Sequence, residues 1–337
     1  MSITIIKQGI LDTVQDCGRY GYSAMGINPG GVMDPFAASV ANFLAGNTNN
    51  EPVIELHFPA MQVLFHEPAL ISICGADFTS CIHEEPIPTW QPVMVNRNAL
   101  LHFQKWRWGA RAYLAIHGGF KMVKWLGSYS TNIKGKAGGY FGRPLAKDDL
   151  LHVNMEENGD GGFNPSCYLS ARQYYRTLHW GVHEKNVYAE EGNFLIIPGP
   201  EFNWLDEASK YQLLHSTFSV APHSDRMGYL LNGQSLHPSN HIEMISSGVD
   251  TGTIQLLPNG QLMILMADRQ TTGGYPRIGN IIGAHLPKLA QLHSGAELRF
   301  QLTDIATAEQ MLFSQMRNLR IIERSCHDHF NQLYAHN

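Results

Sequence analysis

Cysteine is scarce: five occur in 337 residues, at positions 17, 74, 81, 167 and 326, and none form a Cys-x-x-Cys pair. An odd, scattered set argues against a disulfide framework and fits a reducing compartment. Charge is scarce too, at 16% of residues with a net of −5, and no basic block stands out. That speaks against nucleic acid as a partner. Long apolar runs are missing; the longest are like Leu262 to Ala267 (LMILMA), far short of the ~20 residues that span a bilayer. The opening MSITIIKQGILDTVQD holds no apolar stretch of signal-peptide length. A soluble, cytoplasmic protein without a membrane partner is expected. A Gly-x-x-x-x-Gly-Lys-Ser/Thr phosphate loop is also lacking, and the glycine-rich stretch 135–143 does not supply one.

What is present is a chain with 44% hydrophobic residues, 32 glycines and 17 prolines. Its length suggests two domains. Short β-rich runs at 3–6, 53–56, 61–65, 69–74, 100–103, 112–116, 194–197, 253–257, 262–267 and 297–302 lie between turn signals, a pattern of barrels or sandwiches. Helices are predicted at 34–45, 205–215, 286–292 and 306–324. In the first, Asp34 suits the N-cap, Pro35 the first helical position and Gly46 the left-handed close, while Phe36, Val40, Phe43 and Leu44 share a face. The acidic, glycine-rich and aromatic segment 156–191 reads as a linker or excursion. The predicted domains are therefore 1–155 and 192–305, with a C-terminal helix and tail at 306–337. Cys326-His327-Asp328-His329 offers metal-ligand types, but adjacent helical residues diverge, so an exposed tail is expected and no metal site. Cys74, alternating with Ile73 and Ile71, reads as a small buried hydrophobe.

The most chemical stretch is 261–280, QLMILMADRQTTGGYPRIGN. A buried-looking strand ends on Asp268, Arg269, Gln270, Thr271 and Thr272, then meets Gly273, Gly274, Tyr275 and, after Pro276, Arg277. Arginines and threonines can stabilise charge developing on oxygen. Asp268 can orient an arginine or act as a base. The glycine pair permits positive φ and close approach to a ligand. The competing reading is an Asp–Arg pair that stitches a turn. Two further sets invite the same question. Pro29-Gly30-Gly31 leads to a helix N-terminus, where N–H groups favour an anion unless Asp34 occupies them. In SDRMGY (224–229), Arg226 can grip a carboxylate or form an exposed ion pair. A faint internal echo links YLAIHGGF with the strand running into Gly273-Gly274-Tyr275.

TVQDCGRYGY (13–22), MGINPGGVMDPFAASVANFLAGN (25–47), GADF (75–78), RAYLAIHGGF (111–120), PGP (198–200), SDRMGY, EMISSGVDTGTIQLLPNGQ (243–261) and ILMADRQTTGGYPRIGN (264–280) resemble the 5-oxoprolinase C-subunit family. It is also called the allophanate hydrolase subunit 2, Kip antagonist or biotin-dependent carboxyltransferase family. The resemblance covers about 1–155 and 192–302. It implies a mainly β fold of two cyclophilin-like β-barrel domains. It implies a partner B subunit, the allophanate hydrolase subunit 1-like protein, and, for the lactam reaction, also an A subunit. The departures are Tyr129 and Leu230, where arginine is usual, and Phe141, where an acid is common.

The leading expectation is a component of a heteromeric ATP-dependent 5-oxoprolinase, turning 5-oxo-L-proline into L-glutamate and inactive alone. Asp268, Arg269 and Arg277 are the expected catalytic residues. Gln270, Thr271, Thr272, Gly273, Gly274, Tyr275, Arg226, Gly30 and Gly31 are expected to bind a small amide or lactam. No cofactor is expected in this chain: ATP would be used by the complex, and Lys121-Met122 does not read as a biotin site. One alternative is a biotin-dependent carboxyltransferase component, with biotin on a separate carrier. The other is a non-enzymatic regulator that binds a Kip-inhibitor-like partner.

Overall fold

A computed structural model describes residues 1–154, 165–170, 172–183, 188, 192–239 and 244–335. The chain is mainly β, with four helices among the described residues: α1 (Pro35–Leu44), α2 (Glu207–His215), α3 (Leu286–Ala290) and α4 (Ile305–Ala335). It divides into two compact units. Unit 1 holds 1–18, 34–184 and 318–337, and unit 2 holds 19–33 and 185–317. The contiguous boundaries read from the sequence do not anticipate this exchange, because 19–33 carries no periodic pattern to show which core it joins. Of the expected linker 156–191, residues 165–170 and 172–183 belong to unit 1, where Tyr175–Thr177 pairs with Pro92–Val95. The EENGDGG cluster lies outside the described residues.

Unit 1 packs two six-stranded sheets. One runs 150–152, 2–7, 62–65, 100–103, 80–82, 85–86; the other runs 175–177, 92–95, 69–77, 108–116, 53–56, 13–15. The predicted barrel is here a two-sheet arrangement around one core. Ile3, Ile5, Val63, Phe65 and Leu101 of the first sheet share that core with Ile54, Leu56, Ile71, Ile73, Ala112 and Leu114 of the second. Alternation sends the intervening residues of the second sheet to its other face, where Ser72 donates to the Ala41 carbonyl of α1 (2.5 Å). The helix is therefore buried on nearly every side, not on one face alone. Its predicted cap is present: the Asp34 carboxylate accepts from the Ala37 N–H at 2.9 Å. Cys74 is fully buried, as expected.

Unit 2 is a closed seven-stranded barrel in the order 193–198, 277–281, 253–256, 262–265, 228–232, 218–220, 297–302. A parallel pairing of the first and last strands closes it, and closure removes both sheet edges. Phe194, Ile254, Leu256, Ile264, Ile278 and Phe300 fill the interior. A two-stranded ribbon, Ser247–Gly248 with Thr272–Gly273, forms a sheet separate from the barrel's hydrogen-bonded strands.

The C-terminal segment is helical to Ala335; His327, Asp328 and His329 are exposed, as expected, but Cys326 and Phe330 are buried. His329 stacks on Trp180 in unit 1 with ring centres 4.7 Å apart. Burial pushes the Cys326 thiol up to about 12. The sequence shows the helical period but not the aromatic partner that extends it.

His285 in unit 2 gives the fold a pH signature. Its Nδ1 accepts from the Leu195 N–H at 3.1 Å, so the ring is held neutral there. Burial first, and Lys288 second, lower its pKa to about 4. The unfolded chain takes up this proton near 6.5, so stability is complete above that value and lost as pH falls towards 4. A melting series between about pH 7 and 4 on His285→Gln is expected to show a shallower decline than the parent chain; an equal slope would contradict this.

Candidate functional site

The 261–280 segment belongs to unit 2. Strand Leu262–Leu265 pairs with Gly228–Asn232, and the pairing does not stop at Leu265. The Met266 N–H donates to the Met227 carbonyl (2.9 Å) and the Asp268 N–H to the Arg226 carbonyl (2.8 Å). The backbone register thus delivers two side chains to each other. Arg226 donates Nε–H and Nη2–H to the two Asp268 oxygens at 2.9 and 3.1 Å. Its Nη2 also donates to the Gly31 carbonyl at 2.6 Å. The Arg226 side chain is 4% exposed and the Asp268 side chain 16%, so this is a largely buried, bidentate pair. It is neither an exposed pair nor an unoccupied carboxylate clamp, the two readings open from the sequence.

Gly30 and Gly31 are brought to this pair, both in left-handed conformations. A Cβ on Gly30 would lie 3.1 Å from Arg19 Nη1 and 3.6 Å from Asp268 Oδ1. The glycine therefore leaves room beside the Arg19 guanidinium, which a side chain here would crowd. At the start of α1 the Asp34 carboxylate takes the Ala37 N–H, so that helix N-terminus is capped by the chain itself.

Arg269 and Arg277 each hold an acidic partner of their own. Arg269 is buried, donates to the Val249 carbonyl (3.3 Å) and pairs with Asp250. Burial lowers its pKa, against the pull of Asp250 and Tyr20. Arg277 opens the strand Arg277–Ile281 and holds Glu201 by Nε, Nη2 and backbone N–H at 3.0, 2.9 and 2.9 Å. These bonds hold the Glu201 carboxyl below its ordinary range, and Glu201 raises the Arg277 pKa in return. Arg277 Nη1 also donates to the Gly248 carbonyl at 3.1 Å. Residues 248, 249 and 250 are therefore gripped in succession by the two arginines.

Thr272, Gly274 and Tyr275 are exposed at the end of this ribbon, and Gln270 and Thr271 are half-buried. Neither Gly273 nor Gly274 takes positive φ, contrary to expectation, because Thr272–Gly273 is extended and paired with Ser247–Gly248. What Gly273 supplies is room: a Cβ there would lie 2.3 Å from Gln255 Nε2 and 3.3 Å from Val249 Cγ1. In the proposed echo Gly118 and Gly119 are both left-handed, so the two pairs are not conformational equivalents. Reading the sequence missed Glu201, Asp250 and Gln255. Glu201 follows PGP directly, and Gln255 interrupts the apolar run TIQL much as Glu55 interrupts VIEL. A lone polar residue inside a buried strand was the available signal.

Comparison with known proteins agrees with this architecture. A family model described as carboxyltransferase domain, subdomain A and B, matches residues 25–302. The 5-oxoprolinase C subunit of Haemophilus influenzae is 31% identical, covering 89% of this chain and 90% of the relative. That of Escherichia coli is 32% identical, covering 94% of this chain and 96% of the relative. The crystal structure of the K. lactis urea amidolyase superposes with a TM-score of 0.83 at 25% identity, over 95% of this chain and 20% of that one. The chain belongs to the carboxyltransferase-domain family that includes the 5-oxoprolinase C subunits.

Within this family member, the three departures fall on different surroundings. Phe141 is exposed with a left-handed backbone, and Tyr129 lies under the Lys124 ammonium at 4.9 Å. Leu230 is a half-buried residue of the barrel strand Gly228–Asn232. Among the described residues no cluster of metal-ligand types forms, and no helix is long and apolar enough to cross a membrane. Removing one partner of a buried pair strands the other, at a cost of about 3–5 kcal/mol. Arg226→Ala is expected to lower stability by about 3 kcal/mol in urea unfolding. A loss near zero would show that Asp268 is satisfied without it.

Proposed function

We propose that this chain is the C subunit of an ATP-dependent 5-oxoprolinase, which opens 5-oxo-L-proline to L-glutamate together with its A and B subunits. The observation that carries this reading is the extent of the match. The bacterial C-subunit relatives align over 90% and 96% of their own length, so the role they are named for bears on the whole of the matched chain. The urea amidolyase structure aligns over 20% of its length, so most of what that name covers lies outside the matched part. The ATP site is assigned to a partner, since the sequence holds no phosphate loop.

Opening a lactam builds negative charge on its carbonyl oxygen, and fixed donors stabilise that charge. A guanidinium has five N–H donors. Arg277 uses three of these in its bonds to Glu201 and Gly248, and the others are assigned to the developing oxyanion. Asp268 is assigned to orienting Arg226 at the site. Arg269 is assigned to holding the 249–250 backbone, with Thr271, Thr272 and Tyr275 on the exposed rim.

A second reading has one observation in its favour, the TM-score of 0.83 to urea amidolyase. There the same centre would serve carboxyl transfer from a separately carried biotin. Reconstitution separates the two. With the A and B subunits, ATP and 5-oxo-L-proline, the chain is expected to complete an activity that releases glutamate, and to turn over neither lactam nor ATP alone. Carboxylation of urea by the chain with a biotin carboxylase and carrier, without lactam opening, would replace the first reading with the second.

A further inference from the structure

Gln255 lies on the barrel strand Thr253–Leu256 and is completely buried. Its neighbours Ile254 and Leu256 point into the barrel core, so alternation turns Gln255 to the outer side. There it lies beneath the ribbon Ser247–Gly248/Thr272–Gly273, with Gly273 against its carboxamide. Neither Gln255 Nε2 nor Oε1 has a hydrogen-bond partner, and the buried Ser247 Oγ has none. An unpaired amide out of water is destabilising, and native proteins rarely keep one without a use. Ser247 is the ribbon partner of Gly273, the residue that lies against the Gln255 carboxamide.

The cover itself is slight. It is a ribbon of two residues per strand, outside the barrel, and Arg269 and Arg277 grip the backbone beside and within it. We propose that the ribbon closes over an amide-recognition site in which the Gln255 carboxamide and the Ser247 hydroxyl bind the edge of a lactam or urea. A primary carboxamide presents a donor and an acceptor side by side. A cis-amide, as in a five-membered lactam, presents the complementary pair, so two hydrogen bonds form in one plane. A saturated ring amine with the same carboxylate lacks the carbonyl and forms only one. Sites built on buried hydrogen bonds discriminate strongly against analogues that leave a partner unpaired. The ribbon must lift to admit the ligand and reseat on it, and Gly273 leaves the space for that contact. This site rests on the amide-substrate reading above, which names the ligand class but does not include Gln255.

The purified chain, labelled with ¹⁵N in glutamine side chains, tests this by titration with 5-oxo-L-proline, urea and L-proline. The Gln255 resonance is identified by its loss in Gln255→Leu, or in Gln255→Asn if the first variant does not fold. The expected result is that 5-oxo-L-proline and urea move this resonance and L-proline does not. Gln255→Leu is expected to weaken 5-oxo-L-proline binding at least ~10-fold and to raise the melting temperature, because an apolar side chain replaces an unsatisfied buried amide. A resonance unmoved by both amides overturns the proposal. So does an equal response to L-proline, or a variant that binds normally and melts lower, as a purely structural glutamine would. A reconstituted enzyme that opens the lactam while Gln255 stays unmoved would discard this site and keep the proposed function.

Discussion

A guanidinium taken out of water must find a counter-charge, and in unit 2 that need organises everything around the 261–280 segment. Arg226 is almost wholly buried, and Asp268 answers it with both carboxylate oxygens. The pair can form because the strands 228–232 and 262–265 keep their register past their formal ends, with each residue also bonded through the backbone. The third Arg226 contact, to the Gly31 carbonyl, pins residues 19–33 to this unit. The buried pair is thus a device for position as much as for stability, since such pairs add little net stability over apolar packing.

The second layer of the site repeats the same logic at lower burial. Arg277 and Glu201 exchange side-chain and main-chain bonds, and Arg277 then reaches the Gly248 carbonyl. Arg269 takes the next two residues. Charge is used here to hold a small ribbon that has no apolar core of its own. Beneath it the barrel carries a buried amide that its surroundings do not satisfy. Such local disagreement between polarity and burial is where function tends to sit in an otherwise consistent fold.

The strands at 53–56, 100–103 and 297–302 could be read to the residue, because alternation and flanking turns both mark them. α1 was legible from Asp34, Pro35 and Gly46, each with its own physical reason. Short strands such as Thr13–Gln15, Phe218–Val220 and Ser247–Gly248 were not, since two or three residues show no period. The 268–277 cluster was legible as chemistry but not as geometry. Sequence shows that Asp268 and an arginine are adjacent, yet the partner is Arg226, 42 residues away, and not Arg269. Gln255 stood out only as a lone polar residue in an apolar run, and the roles of Glu201 and Gln255 depend on which strands close the barrel.

The central claim is that the Arg226–Asp268 pair positions the reactive centre and does not merely brace the barrel. The most direct measurement is the kinetics of Asp268→Asn in the reconstituted three-subunit enzyme, read per folded molecule well below its melting temperature. Asparagine keeps the size of the side chain and removes its charge. The account predicts a fall in kcat of roughly 10²-fold, the scale of a lost catalytic or positioning interaction, with a much smaller change in KM. An unchanged kcat per folded molecule, with only a lower melting temperature, would contradict it.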